Sequence, residues 1–452
     1  MNRTTREQGG RRAERGQGGA DLYDTRPTFE ARLAGEAKRA VKRRAQALLR
    51  VAIGAVGWLT RDRRYAVAPQ ADDPAIRRIL VVRVDLLGDV VLSLPAVRAL
   101  RRAYPRAQID MLVLHSTAGI LAGESADIER VLTFDPHAWR RPTALLRPRT
   151  WRDALHLLRT LHATRYDLAI SISGDIGSIL TRLSGAHRRV GYAAEAYPFL
   201  LTDTLPGGRY RVHQHEVRYV LALAERAGGL VWPGDDALSL RVLPQAAKRM
   251  DETLRAARRS SGARGPVVAL HAGARNGQAK RWPPAHLAAL ADRLIADLDA
   301  LVVLSGAPSE APLAREVLAH CTRRPINLVG KTSLQELAAL LAASDLLVTG
   351  DSGPLHIACA VGTPVVALHG PTDPALSGAT AADAIVLRRR LWCSPCYDAS
   401  ATAECRFGNP VCMKRLTPNL VYAAARRQLR RQTPPAVDRR EGVPHVSLAS
   451  PT

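Results

Sequence analysis

Aromatic residues make up only 4% of the 452-residue chain, and its many arginines accompany no zinc-finger, RNP-like or heptad pattern. Specific nucleic-acid recognition is therefore not expected. Cysteine is scarce too. Of the six, Cys321 and Cys359 stand alone in apolar segments, while Cys393, Cys396, Cys405 and Cys412 share one loop-like region. No disulfide framework follows, which fits a reducing compartment. Long apolar runs are missing. The first apolar stretch, "VAIGAVGWL" (51–59), is far from Met1 and too short to span a bilayer, so neither a signal peptide nor a span is expected. No G-x-G-x-x-G follows the first strand-like run, which argues against a plain dinucleotide-dependent dehydrogenase. Acidic residues are outnumbered, 41 against 65 basic ones, leaving a formal charge of +24. That balance calls for a polyanionic partner: an anionic bilayer or a phosphorylated substrate before nucleic acid.

What is present has the length for two or three domains and, at 46% apolar residues, the material for sizeable cores. Residues 1–75 read as a basic extension. Its first part, to about residue 28, is Arg/Gly/Gln-rich and reads as disordered. Residues 29–64 read as a basic helix with an apolar C-terminal part. It either lies on an anionic membrane, with Trp58 at headgroup level and Lys38, Arg39, Lys42, Arg43 and Arg44 toward phosphates, or packs on the protein as a solvated helix.

From "RRILVVRV" (77–84) onward, apolar runs of strand length alternate with helical periods. They include "QIDMLVLH" (108–115), "RVLTF" (130–134), "YDLAISI" (166–172) and "HRRVGY" (187–192). After a charged, glycine-containing connection the alternation restarts with "GPVVALHAG" (265–273), "ALVVLSGA" (300–307), "INLVG" (326–330), "DLLVTG" (345–350) and "TPVVALHG" (363–370). Such alternation means βαβ units and parallel sheets. We expect an α/β chain with two doubly wound, Rossmann-like domains, 76–240 and 265–432, joined by a linker 241–264 and followed by a disordered tail 433–452. A ligand cleft is expected between the domains, at the carboxyl ends of the strands.

Four polar loops follow strands and would converge on that cleft. In "DSGPLHIACAVG" (351–362), Asp351 is placed at or near the N-cap of a helix whose first turn holds Ser352, Gly353 and Pro354. Free backbone N–H groups there suit phosphate oxygens, Gly353 allows close approach, and His356 adds a donor. "HAGARNGQAKRWP" (271–283) brings Gly273, Lys280 and Arg281 to the same face. "SGAPSE" (305–310) offers Glu310 to ribose or sugar hydroxyls, and "HGPTDP" (369–374) adds Thr372 and Asp373. Taken singly, Asp351 is only a cap and His356 only a satisfied helix residue; four such loops together favour a nucleotide-diphosphate site.

The stretches "ILVVRVDLLGDVVLSLPAVRALRRAYP" (79–105), "KRWP" (280–283), "DSGPLHIACAVGTPVVALHGPTDP" (351–374) and "CSPCYDASATAECRFGNPVCM" (393–413) are long, ordered and correctly spaced. Through them the chain, from about Arg77 to about Arg430, resembles glycosyltransferase family 9, the ADP-heptose:lipopolysaccharide heptosyltransferase family. The resemblance implies a GT-B fold and an inverting transfer from a nucleotide-diphosphate sugar to a hydroxyl of a lipid-linked saccharide. By that resemblance Asp89, in the "LGDV" turn, is the general base; on its own it reads equally as the N-cap of a helix over 89–103. Lys280 resembles the lysine that neutralises the donor phosphates. Asp351, Ser352, Gly353 and His356 resemble the diphosphate loop, and Glu310 resembles the acid on the nucleotide ribose. With lysine and a helix terminus at the leaving diphosphate, neither a metal nor another cofactor is needed for the chemistry.

The chain departs from the family in three places. Asp85 stands where many members carry Ser and reads as a second carboxylate or a turn residue. Gly273 and Ala274 replace hydroxyl residues, and "ISISGDIGS" (170–178) replaces an acidic–Gln–Gly pattern. Cys393, Cys396, Cys405 and Cys412, spaced C-x2-C-x8-C-x6-C, fit a structural metal, a disulfide-paired state or a reduced state alike. The expected partners are a nucleotide-diphosphate sugar, ADP-heptose first, a lipid-linked saccharide of the lipopolysaccharide core, and an anionic membrane surface. The expected place is cytoplasmic, peripheral at the inner face of the cytoplasmic membrane. Two alternatives remain at this point: the same fold using another nucleotide sugar for a different surface glycan, or a catalytically idle nucleotide-binding scaffold.

Overall fold

Strand-length apolar runs bounded by turn residues bury best in parallel sheets covered on both faces by helices. The chain does this twice. The computed structural model describes residues 68–136, 146–195, 197–208, 213–275, 277–397, 404–405 and 407–432. The basic helix expected over 29–64 and the tail from 433 lie outside the described residues.

The first sheet comprises β1 (Arg78–Arg83), β2 (Gln108–Val113), β3 (Arg130–Thr133), β4 (Leu168–Ser171), β5 (Arg188–Tyr192) and β6 (Asp203–Leu205). Its strands lie in the order β3-β2-β1-β4-β5-β6, all parallel. The second comprises β7 (Val267–His271), β8 (Leu301–Ser305), β9 (Ile326–Asn327), β10 (Leu346–Gly350), β11 (Val365–His369) and β12 (Ile385–Arg388). Its order, β12-β11-β10-β7-β8-β9, repeats the first read from the other edge. Each sheet therefore has one place where the winding reverses, between β1 and β4 and between β7 and β10. Ligands of doubly wound folds lodge there, beyond the carboxyl ends of the strands. Both sheets with their flanking helices make the GT-B fold.

Several elements were not placed from sequence: β6, β12 and the helices Glu216–Arg226 and Pro418–Gln432. The helix expected over 89–103 is two, Leu87–Leu92 and Leu94–Ala103, broken at Ser93. Helix Pro244–Ser261, in the segment read as a linker, lays Ala246, Met250, Leu254 and Ala257 on Val267, Leu301 and Val303 of the second sheet.

The largest apolar cluster runs across both domains. It joins Val90, Val97, Leu100, Ile120, Val220 and Leu223 of the first to Leu337, Leu341, Leu347, Leu355 and Ile357 of the second. Polar contacts reinforce it: Gln335 Nε2 donates to Ile120 O at 2.8 Å, and Leu240 N donates to Ala360 O at 3.0 Å. At the cleft end of this interface, helix Leu87–Leu92 meets helix Gly353–Val361 through two glycines. A Cβ on Gly88 would lie 2.6 Å from His356 Cδ2, and one on Gly353 would lie 3.1 Å from Leu87 Cβ.

A methyl group at Gly88 must therefore displace the buried His356 ring, with Gly353 Cα 3.4 Å away behind it. Gly88→Ala is expected to lower the unfolding free energy by ~1–3 kcal/mol, read as a lower urea midpoint. An unchanged midpoint would mean that the ring moves aside freely at this point.

Candidate active site

The site is built from the two winding reversals brought face to face. On the first domain, Arg83 closes β1 and is fully buried; Asp85 follows, and Asp89 stands in the first turn of helix Leu87–Leu92. The N-cap of that helix is Leu86, with no side-chain cap, so Asp89 is not the cap it resembled in the sequence. Its carboxylate is 20% exposed and lies 3.4 Å from Arg83 Nη2. Asp85 lies 3.3 Å from Arg83 Nη1 and accepts from Ser173 Oγ at 2.8 Å, tying the turn after β1 to the "ISISGDIGS" turn after β4.

On the second domain, Lys280 ends a short 3-10 turn, Gln278–Lys280. Its ammonium is 2.9 Å from Asp351 Oδ2 and 4.2 Å from the centre of the Tyr397 ring. Asp351 is buried in the turn between β10 and helix Gly353–Val361. Burial would raise its pKa, yet Lys280, His369 and His356 outweigh that and hold it below the ordinary value. The N-cap is Ser352 rather than Asp351. Its hydroxyl pairs with Thr349 Oγ1 at 3.0 Å instead of capping, so among the described residues no side chain hydrogen-bonds as a cap to the positive end of this helix.

Two histidines complete the floor. His356, on the first turn of helix Gly353–Val361, is 4% exposed, and its Nδ1 has no hydrogen-bond partner among the described residues. Burial pushes its pKa down to about 4, against the pull of Asp351 and Asp89. His369, at the end of β11, is fully buried; Nδ1 pairs with Thr372 Oγ1 at 3.1 Å and Nε2 has no partner among the described residues. Burial lowers its pKa as well. Two neutral imidazoles with unused nitrogens beside an ion pair form a polar group wanting a ligand.

Glu310 lies apart from this centre. Its Oε2 accepts from Ala307 N at 2.8 Å, and its carboxylate fills the space where Gly273 lacks a Cβ. Together they edge a small recess walled by Leu270, Leu304, Leu313 and Val329. Of the remaining expected residues, Thr372 holds His369. Asp373 accepts from Ala375 N at 3.1 Å as the cap of helix Pro374–Ser377 and lies 3.6 Å from Arg388.

Besides Arg83 and His369, three more residues around this centre were not read from the sequence. His215 caps helix Glu216–Arg226 by accepting from Val217 N at 3.4 Å and reaches across to Gly378 O at 3.2 Å. That assigns its proton to Nε2. Glu216 reaches Arg83, and Tyr397 covers Lys280. Tyr397 is carried by the cysteine loop, which docks on the turn after β11 through Cys396 N and Tyr397 N, both donating to Pro371 O. No disulfide joins any of the six cysteines. Burial first, and the nearby Cys396, Cys405 and Cys393 with it, raise the Cys412 thiol to about 11. Among the described residues no group of three or more His, Cys, Asp or Glu is set to hold a metal ion.

Residues 154–406, more than half of the chain, match the family described as glycosyltransferase family 9 (heptosyltransferase). The lipooligosaccharide heptosyltransferase 2 of Haemophilus ducreyi is 29% identical over 322 residues, 69% of this chain and 88% of that protein. The lipopolysaccharide heptosyltransferase 2 of Escherichia coli K12 is 29% identical over 303 residues, 66% of this chain and 84% of that one. Among solved structures, the E. coli heptosyltransferase with bound ADP superposes with a TM-score of 0.58 at 25% identity, covering 78% of this chain and 99% of that one. The Veillonella parvula family 9 structure shares the fold, with a TM-score of 0.64.

The pKa shifts carry a pH dependence whose sign is fixed. His356 has a folded pKa of about 4 against 6.5 unfolded, so between these values the unfolded chain binds a proton that the folded chain refuses. Stability is lost as pH falls through that window, and His369 is shifted in the same direction. His356→Asn is expected to remove up to ~3 kcal/mol of the loss between pH 7 and about pH 4. Urea unfolding of both proteins at the two pH values measures it; parallel losses in the two would show that His356 is not held neutral.

Proposed function

The chain belongs to glycosyltransferase family 9 and is a glycosyltransferase, and we propose from that premise that it moves a heptose from ADP-heptose to a hydroxyl of a lipopolysaccharide core, with inversion at the transferred carbon. The observation that carries this reading is the meeting of Asp89, from one domain, with the Lys280–Asp351–His356 group of the other across the Gly88–Gly353 contact.

The donor diphosphate lies at the uncapped start of helix Gly353–Val361, where backbone N–H groups and the helix dipole favour negative charge. Lys280 supplies the compensating cation, and Asp351 and Tyr397 hold it in place beforehand. His356, neutral at pH 7, contributes a hydrogen bond without adding a charge. The nucleotide ribose hydroxyls bond to Glu310, beside Gly273. Asp89 takes the proton of the acceptor hydroxyl as that oxygen bonds to the anomeric carbon from the face opposite the diphosphate. The carbon–oxygen bond to the β-phosphate breaks at the same time, and the nucleoside diphosphate leaves against Lys280 and the helix terminus.

Asp89→Asn should reduce transfer by roughly 10²–10⁴-fold while leaving nucleoside-diphosphate affinity near wild type. Lys280→Ala should weaken that affinity by about 10-fold or more through the lost charged contact, and His356→Ala in the same direction. Transfer assays paired with ADP titration calorimetry read both. Wild-type turnover in the Asn variant would remove the base, and unchanged ADP affinity in both Ala variants would remove the diphosphate site.

A lipid-linked acceptor confines the enzyme to a surface, and among the described residues no helix is long and apolar enough to cross a membrane. We assign surface attachment to residues 29–64, where each lysine or arginine near an anionic bilayer contributes about 1 kcal/mol. Removing residues 1–64 is expected to abolish co-sedimentation with anionic liposomes at low salt and to spare turnover on a delipidated acceptor. Undiminished liposome binding would move the contact to the catalytic body.

A further inference from the structure

Helix Pro148–Thr164, between β3 and β4, buries one face and carries large apolar side chains on the other. Leu157 and Leu161 point inward and join the buried cluster of Leu80, Val82, Leu112 and Leu114 on the first sheet. On the outward side Trp151, Leu155 and Arg159 follow one another at four-residue spacing along a single row. Trp151 is 47% exposed and Leu155 48%; Leu146, just before the helix, is 83% exposed. A helix that only faced water would place charged or polar residues in that row.

The charge around the row is almost all of one sign. Residues 146–165 hold five arginines and one acid, Asp153, which lies 3.4 Å from the adjacent Arg152. Arg147, Arg149, Arg159 and Arg165 are exposed, and none of them makes an ion pair among the described residues. Arg147 is the N-cap and Arg149 stands in the first turn, which contains no acid. Cations at the positive end of a helix oppose its dipole, so local stability does not account for them. An apolar row among exposed arginines fits an anionic bilayer. Leucine and tryptophan enter the boundary between headgroups and chains, and the guanidinium groups meet lipid phosphates. A second copy of this chain docking by the same face would set arginine against arginine.

The far end of the helix fixes its direction. Arg78 Nη1 donates to Thr164 O at 2.7 Å, and Arg130 Nη2 donates to Thr164 Oγ1 at 2.9 Å. Arg78 and Arg130 open β1 and β3, so the last turn lies at the amino edge of the sheet. Leu146 and Trp151 therefore lie toward the carboxyl edge, with Leu155 midway; from that same edge comes the turn that bears Asp85 and Asp89. We propose that Leu146, Trp151 and Leu155, with the arginines beside them, form a docking surface for an anionic bilayer that sets the acceptor side of the cleft against the membrane. Residues 29–64 hold the chain to the surface, and this row decides which face of the catalytic body meets it. It rests on the reading of the acceptor as lipid-linked.

The experiment is quenching of tryptophan emission by bromine-labelled acyl chains, with the full chain on vesicles of phosphatidylglycerol and phosphatidylcholine. The emission of Trp151 is read as the difference between wild type and Trp151→Phe, which keeps the row apolar. Bromine is expected to lower that difference about twofold on the anionic vesicles and to leave it unchanged on vesicles of phosphatidylcholine alone. Leu146→Gln combined with Leu155→Gln is expected to relieve the quenching and to lower turnover on a vesicle-embedded acceptor by about tenfold. Both side chains are exposed, so the urea midpoint and turnover on a delipidated acceptor should stay at wild type. Trp151 emission that bromine leaves unchanged while the chain co-sediments overturns the proposal, and so does a full chain that does not co-sediment. Self-association lost in the double variant, with Trp151 unquenched, would give the row to a second copy instead. If Trp151 is quenched but no sugar reaches a vesicle-embedded acceptor, the docking surface stands and the lipid-linked acceptor falls.

Discussion

The close approach of two helices at Gly88 and Gly353 sets the geometry of everything around it. Because neither residue carries a Cβ, the start of helix Leu87–Leu92 meets the start of helix Gly353–Val361 almost backbone to backbone. Two positive helix ends pointing into one crevice repel each other and attract anions. The chain answers with carboxylates: Asp85 and Asp89 on one side, Asp351 on the other. The residues that would handle a sugar diphosphate and an acceptor hydroxyl are therefore brought within reach by backbone packing, and their charges follow from where the helices end.

The polar centre divides its labour by protonation state. Where a charge must remain, it is paired: Lys280 with Asp351, Arg83 with Glu216. Where burial outweighs the neighbouring carboxylates, it removes the charge, as in His356 and His369. Neutral imidazoles can donate or accept without adding to the field. The charge at this centre therefore rests on a few ion pairs.

Much of this was legible in the sequence, and the reasons for the rest are specific. Alternating apolar runs and helical periods announced two doubly wound halves because strands such as Ile79–Val82 and Leu346–Val348 are buried on both faces and read as continuous apolar stretches. Strands β6 and β12 are short, carry partly exposed residues and present no such run. Asp351 and Asp89 both looked like helix caps, and neither is: their helices begin from Ser352 and Leu86, and both carboxylates turn to basic side chains instead. Sequence spacing cannot distinguish a carboxylate facing its own helix from one facing a partner brought in from elsewhere. Arg83 left a faint signal, a lone charge in the apolar run "ILVVRV"; its partner Glu216 lies 133 residues further on, and no local pattern links them. Tyr397 carried no signal, since its role comes from how the cysteine loop rests on Pro371.

The apolar cluster shared by the two domains bears on how the enzyme turns over. Interfaces between domains of one chain are commonly polar enough to let them swing. Here Leu337, Leu341, Leu355 and Ile357 are packed into the same dry layer as Val97, Leu100 and Leu223. Any hinge motion that widened the crevice at this end would wet that layer and forfeit its burial, about 25 cal/mol for every Å² exposed. Separating the two halves at this end therefore carries a cost in burial that a polar contact between them would not.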